Sequence, residues 1–105
     1  MKRPCVDILA SKPNGTLYVG VTSKLIHRVW QHRNEELEGF TKRYSVHLLV
    51  YYEFHADMRT AIWREKCIKH WHRQWKVELI ERTNPRWVDL YPALVPGVGP
   101  PLSRG

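Results

Sequence analysis

The stretch from Cys5 to Ser23, CVDILASKPNGTLYVGVTS, decides the fold. Two runs rich in aliphatic and β-branched residues, 6–11 and 16–22, flank Lys12-Pro13-Asn14-Gly15. An Asn-Gly pair supplies the positive φ angles that a tight hairpin requires. Leu17, Val19 and Val21 alternate with Tyr18 and Gly20, so Tyr18 points to the face opposite the aliphatic residues. Thr22 or Ser23 then caps a helix whose buried side is marked by the i,i+4 pairs Leu25/Val29 and Ile26/Trp30.

Beyond this unit, residues 34–39 are acidic and turn-like, and 46–54, rich in Val, Leu, Tyr and Phe, read as a third strand. Asp57 is an N-cap for a helix over 58–72. A shorter helix follows over 74–82, ended by Asn84-Pro85. The order is β-β-α-β-α-α, an α+β chain. Residues 92–105 hold four of the seven prolines and three of the six glycines. That composition predicts a mobile extension rather than a helix or strand, leaving residues 1–91 as one domain.

Composition bounds the function. A chain of 105 residues has room for one core, and 43% hydrophobic with 26% charged residues is ordinary for a globular protein. The charge is less ordinary: 17 Lys+Arg against 10 Asp+Glu gives +7, with a pI near 9.7. This implies a polyanionic partner, nucleic acid or membrane surface, or else a solubility surface. Cys5 and Cys67 are far apart and lack CxxC spacing, which argues against a disulfide scaffold or zinc module and for a reducing compartment. No signal-peptide h-region and no run of about 20 apolar residues is visible, so a soluble, cytoplasmic protein is expected.

Lys24, Arg28 and His32, spaced i,i+4,i+8, form one stripe shortly after Tyr18. They could converge on a phosphate, Arg gripping it with a planar fork and His or Tyr handling protons, or form a solvated basic face. Glu65 shares a helix face with Ala61, Ile62 and Ile68. A carboxylate inside an apolar stripe needs a cation, either a side chain or an oxygen-liganded divalent metal. Glu53 and Asp57 are rival ligands. Arg59, Arg64, Lys66, Lys69, Arg73 and Lys76 surround that single acid, making phosphate contacts plausible. Trp63 and Trp71, with Trp75 beyond, follow helical spacing; core positions are expected for the first two, a single-strand stacking surface being the alternative. His70 and His72, two apart, cannot chelate one metal locally. No G-x-S-x-G, P-loop or Gly-rich dinucleotide loop is present, so esterase, NTPase and dehydrogenase chemistry lack support.

The series Tyr18-Val19-Gly20, Arg28, His32, Glu65 and Asn84, with Arg ten and His fourteen residues after the tyrosine, resembles the GIY-YIG nuclease superfamily. Leu9 to Ser23, Gly39 to Tyr44, Arg64 to Lys66 and Asn84 to Trp87 are similar to its small stand-alone bacterial group. The resemblance implies a three-stranded antiparallel sheet flanked by helices, and hydrolysis of nucleic-acid phosphodiesters with one divalent ion, Mg²⁺ or Mn²⁺. By the same analogy Glu65 holds the metal, Arg28 stabilises the phosphorus centre, and His32 and Tyr18 orient or deprotonate the attacking water. Asn84 and Gly20 support the site. Lys24, Lys42, His47, Arg64, Lys66, Lys69 and Arg73 are the nucleic-acid contacts, with DNA, single-stranded or branched, favoured over RNA. The first family tyrosine, eleven residues before the second, is replaced here by Asp7. Asp7 could reach the water through another solvent molecule, add a metal ligand, or repel the phosphate. Two functions therefore compete: a metal-dependent endonuclease, and a module that binds nucleic acid without cutting it. A basic adaptor using its Pro-rich tail is a third reading.

Overall fold

In the computed structural model of the chain, residues 3–34 and 46–95 are described. The elements run β1 (Cys5–Ala10), β2 (Leu17–Thr22), α1 (Leu25–Arg33), β3 (Leu48–Phe54), α2 (Met58–Lys69), α3 (Arg73–Thr83) and α4 (Tyr91–Leu94). The sheet is antiparallel with order β2-β1-β3, so β1 is central. The hairpin closes as its sequence predicts: Asn14 takes the left-handed conformation at φ 62°, and Ser11 N–H donates to Thr16 C=O at 3.0 Å.

Period-two alternation gives the sheet two buried faces. Val6, Ile8, Ala10 and Val19 pack under α2 and α3 with Ala61, Ile68, Leu79, Ile80 and Trp87. Cys5 and Leu9 pack under α1 and α4 with Leu25, Val29, Leu49 and Tyr91, and Tyr18 joins this second face, opposite Val19. Because β1 is covered on both sides, every one of its residues is buried, Asp7 included.

Local capping explains the helix bounds. Asp57 is the N-cap of α2, its carboxylate accepting from Thr60 N–H at 2.8 Å. At α1 the cap position falls on Lys24, not on Thr22 or Ser23; the Thr22 hydroxyl instead accepts from Lys24 N–H at 2.9 Å. The expected helix over 58–72 ends at Lys69, with His70 as its C-cap, because the chain turns into α3. The buried side of α1 is Leu25, Val29 and His32; Ile26 and Trp30 are each 43% exposed, since no element among the described residues covers that side. Trp63 is also solvent-exposed, while Trp71 is half-buried against the first face.

Past α3, Asn84 is buried and donates through Nδ2 to Val50 C=O (3.0 Å) and Val88 C=O (2.9 Å), while its Oδ1 accepts from Val88 N–H (3.0 Å). Asp89 then staples three elements: it accepts from Leu49 N–H, from Tyr91 N–H and from the Arg33 guanidinium at the end of α1. Pro92 sits in the first turn of α4, where its missing N–H costs nothing. The expected extension over 92–105 is therefore corrected at its start: Leu94 and Val95 still pack on the core. Residues 96–105 lie outside the described part, as do most of the acidic turn 34–39 and Lys42. No helix among the described residues is long and apolar enough to cross a membrane.

Candidate active site

Strand register builds the site. Asp7 on β1 lies opposite Gly20 on β2, and Leu9 lies opposite Tyr18, so Asp7, Gly20 and Tyr18 share the face under α1. Gly20 leaves a vacancy that the Arg28 side chain fills. A Cβ there would lie 1.7 Å from Arg28 Nη2, so the glycine is required by close approach rather than by backbone angle. The guanidinium thereby reaches across β2, and its Nε donates to Asp7 Oδ2 at 2.8 Å. Its carbon lies 5.4 Å from the centre of the Tyr18 ring. One turn along α1, the His32 ring sits 5.7 Å from the same tyrosine. The structure thus brings Tyr18, Arg28 and His32 together, on Asp7.

The electrostatics follow from burial. Asp7 is wholly buried; desolvation pushes its carboxyl above the usual 3.8, against the pull of Arg28 and with a further push from Glu65. His32 is driven down to about 4, first by burial and then by the Arg28 and His47 charges, so it is a neutral imidazole at pH 7. Neither of its nitrogens has a hydrogen-bond partner among the described residues. A neutral imidazole of this kind is a weak base and a ready hydrogen-bond acceptor.

Glu65 projects from α2 with 7% exposure, and Lys69, one turn on, occupies its Oε2 at 2.7 Å. The donor set fits a single divalent ion held through one carboxylate. The Lys69 side chain is half exposed, and Mg²⁺ characteristically keeps several waters. No group of three or more His, Cys, Asp or Glu among the described residues forms a cage.

The other expected residues are dispersed. Arg64 is committed to Glu53 through Nε (2.8 Å) and Nη2 (3.3 Å), and its carbon lies 5.2 Å from the Trp71 ring centre. Arg73 donates to the turn carbonyls of Asn14 and Gly15, locking the hairpin to α3. Lys24 and Lys66 are exposed, and His47 is half-buried with its carbonyl accepting from Arg33. Glu53, a rival metal ligand from its position in sequence, is occupied instead. Burial alone would raise its carboxyl, but Arg64, Tyr51 and His55 hold it below the usual value. The alternation Tyr51, Glu53, His55 was the legible sign of this network. The Asp7–Arg28 pair carried no such local sign, its members being 21 residues apart. Cys5 is raised to about 12, mainly by burial, and is no nucleophile.

The sequence profile of the GIY-YIG catalytic domain matches residues 4–78. A UPF0213 protein of Bacillus cereus (strain ATCC 10987) is 31% identical over 72 residues, covering 69% of this chain and 75% of that protein. A UPF0213 protein of Bacillus anthracis is 30% identical over 69 residues, covering 66% and 72%. No solved structure matches the chain significantly. With a nuclease-type domain spanning both strands of the hairpin, Arg28, His32 and Glu65, the chain belongs to the GIY-YIG family.

Proposed function

We propose that this protein is a metal-dependent endonuclease that hydrolyses nucleic-acid phosphodiesters, with DNA in single-stranded or branched form as its substrate and little sequence preference. The observation that carries the reading is the convergence of Tyr18, Arg28 and neutral His32 on one face of the sheet. Glu65 would hold one Mg²⁺ or Mn²⁺, which when bound supplies Lewis-acid stabilisation of charge on the scissile phosphate. Arg28 positions a phosphate oxygen by its planar fork. Neutral His32 accepts a hydrogen bond from the attacking water at a ring nitrogen and orients it together with Tyr18. Asp7 takes no part in proton transfer: it is buried and held by Arg28. Its role is to fix the guanidinium. Free Cys5 and Cys67 support a reducing, cytoplasmic setting.

The test is cleavage of labelled single-stranded and duplex DNA with Mn²⁺, Mg²⁺ or EDTA, wild type beside Glu65→Gln. Cleavage that requires both metal and Glu65 is expected; equal cutting by the variant would refute the assignment. A second reading has one observation in its favour. The Asp7 carboxylate offsets the charge of the arginine that should meet the phosphate, as in a domain that binds nucleic acid without turning it over. That reading requires salt-sensitive binding with no metal-dependent product.

A further inference from the structure

A groove of about 570 Å³ opens beside α1, away from the Tyr18 cluster, toward α4 and the end of β3. Its surface joins two kinds of group. Ile26, Trp30 and Phe54 are large apolar side chains with 43%, 43% and 36% exposure, lying together where no element among the described residues covers them. An exposed apolar patch of this kind marks a binding surface. Around them stand Arg3, Lys24 and His27, and among the described residues no acidic side chain lines the groove. The aromatic rings are arranged as flat shelves. His27 and Trp30 are stacked, 6.2 Å apart at an interplanar angle of 11°, and the Arg3 guanidinium lies 3.7 Å from the centre of the Phe54 ring. The Arg3 backbone is anchored, its N–H donating to Ser23 C=O at 2.8 Å, and its guanidinium is seated on the Phe54 ring.

Positive rim and aromatic floor specify the occupant. The rim selects an anion, and the floor selects flat apolar faces, a combination found in an unpaired nucleotide. A duplex keeps its base faces inside the stack, and an acidic peptide offers charge without flat rings. Lys24 is shared: it lines the groove and also heads the Lys24-Arg28-His32 stripe that runs into the candidate active site. We propose that the groove is a stacking site for single-stranded DNA, in which an unpaired base lies on Trp30 while Arg3 and Lys24 take flanking phosphates. The choice of DNA as the polymer rests on the nuclease reading; the base-plus-phosphate chemistry rests on the groove itself.

The experiment reads binding in EDTA, by fluorescence anisotropy of a labelled oligothymidylate, a hairpin duplex of equal length, and an abasic strand of equal charge. Trp30→Ala should weaken oligothymidylate binding about tenfold, which corresponds to ~1.4 kcal/mol for one lost stack, and leave the duplex unchanged. Trp30→Tyr should restore most of the loss. Arg3→Gln should lower the salt slope by ~0.7, one phosphate contact on a single strand, without abolishing the preference for bases. The proposal is overturned if Trp30→Ala binds oligothymidylate as wild type does, or if the abasic strand binds equally well. Competition by polyglutamate at equal charge, preference for the ribo-oligonucleotide, or dissociation of a dimer by Trp30→Ala would each overturn it too. Cleavage is read separately with Mn²⁺. Its absence would sink the nuclease while leaving a Trp30-dependent result standing, and loss of the Trp30 effect would sink the groove while cleavage persisted.

Discussion

His32 offers the sharpest test of how burial sets this site, because its two consequences can be separated by pH. The ring is 2% exposed, neither nitrogen has a hydrogen-bond partner among the described residues, and its folded value of about 4 lies well under the ordinary 6.5. Between those two values the unfolded chain holds a proton that the folded chain refuses, so stability falls as pH is lowered through the window and levels off below it. At 1.36 kcal/mol per unit, the gap of about two and a half units is worth about 3 kcal/mol. Asp7 works with the opposite sign. Its folded value is raised, so protonating it on acidification returns stability. Comparing wild type with His32→Met cancels the Asp7 contribution, which both share. Methionine fills the cavity and removes two unsatisfied polar atoms, so the variant should match or exceed wild type by ~1 kcal/mol at pH 7. It should then gain about 3 kcal/mol more over wild type by pH 4. The assay is urea unfolding at a series of pH values, followed by tryptophan fluorescence, with Trp87, 3% exposed in the core, as reporter. Parallel stability–pH curves for the two proteins would refute the reasoning, since they would mean that His32 titrates alike folded and unfolded.

Three further outcomes follow from the same geometry. Gly20→Ala places a methyl group where Arg28 now lies, evicting the guanidinium from Asp7; a loss of about 3 kcal/mol is expected, and an unchanged melting temperature would show that the pair is dispensable. Asp7→Asn keeps the shape and removes the counter-charge, so the salt slope for single-stranded DNA should steepen by ~0.7 as Arg28 becomes a full phosphate contact; an unaltered slope would show that Arg28 does not meet the strand. Asn84→Ala removes three hydrogen bonds that tie β3 to the segment after α3, at a cost of about 2–3 kcal/mol in the urea midpoint, with metal affinity untouched.

Much of this arrangement was legible before any coordinates, and the physical reason is period. Asn14-Gly15 between two alternating runs can be little other than a hairpin, and the parity of Tyr18 against Val19 fixes which face each occupies. Asp57 declared itself as a cap because a short acceptor precedes an apolar helical pattern. Periodicity failed where it had to supply a neighbour. On α1 both Leu25/Val29 and Ile26/Trp30 satisfy helical spacing, and only the sheet's position decides that the second pair stays bare. Trp63 misled for the same reason: its spacing with Trp71 is helical, yet α2 rests on the sheet through Ala61, Glu65 and Ile68. The replacement of the first family tyrosine by Asp7 was visible, but not what it does. That depended on Gly20 lying across the ladder and admitting a guanidinium from another element.

The Asp89 staple has a consequence for how this chain can vary. One carboxylate holds the last residue range of α1, through Arg33, together with the first turn of β3, through Leu49, and the start of α4, through Tyr91. Arg33 and Leu49 are therefore pinned to each other by a residue 40 positions beyond the second of them. Asp89 is thus the position at which one substitution would loosen α1, β3 and α4 together while leaving the hairpin and Arg28 untouched.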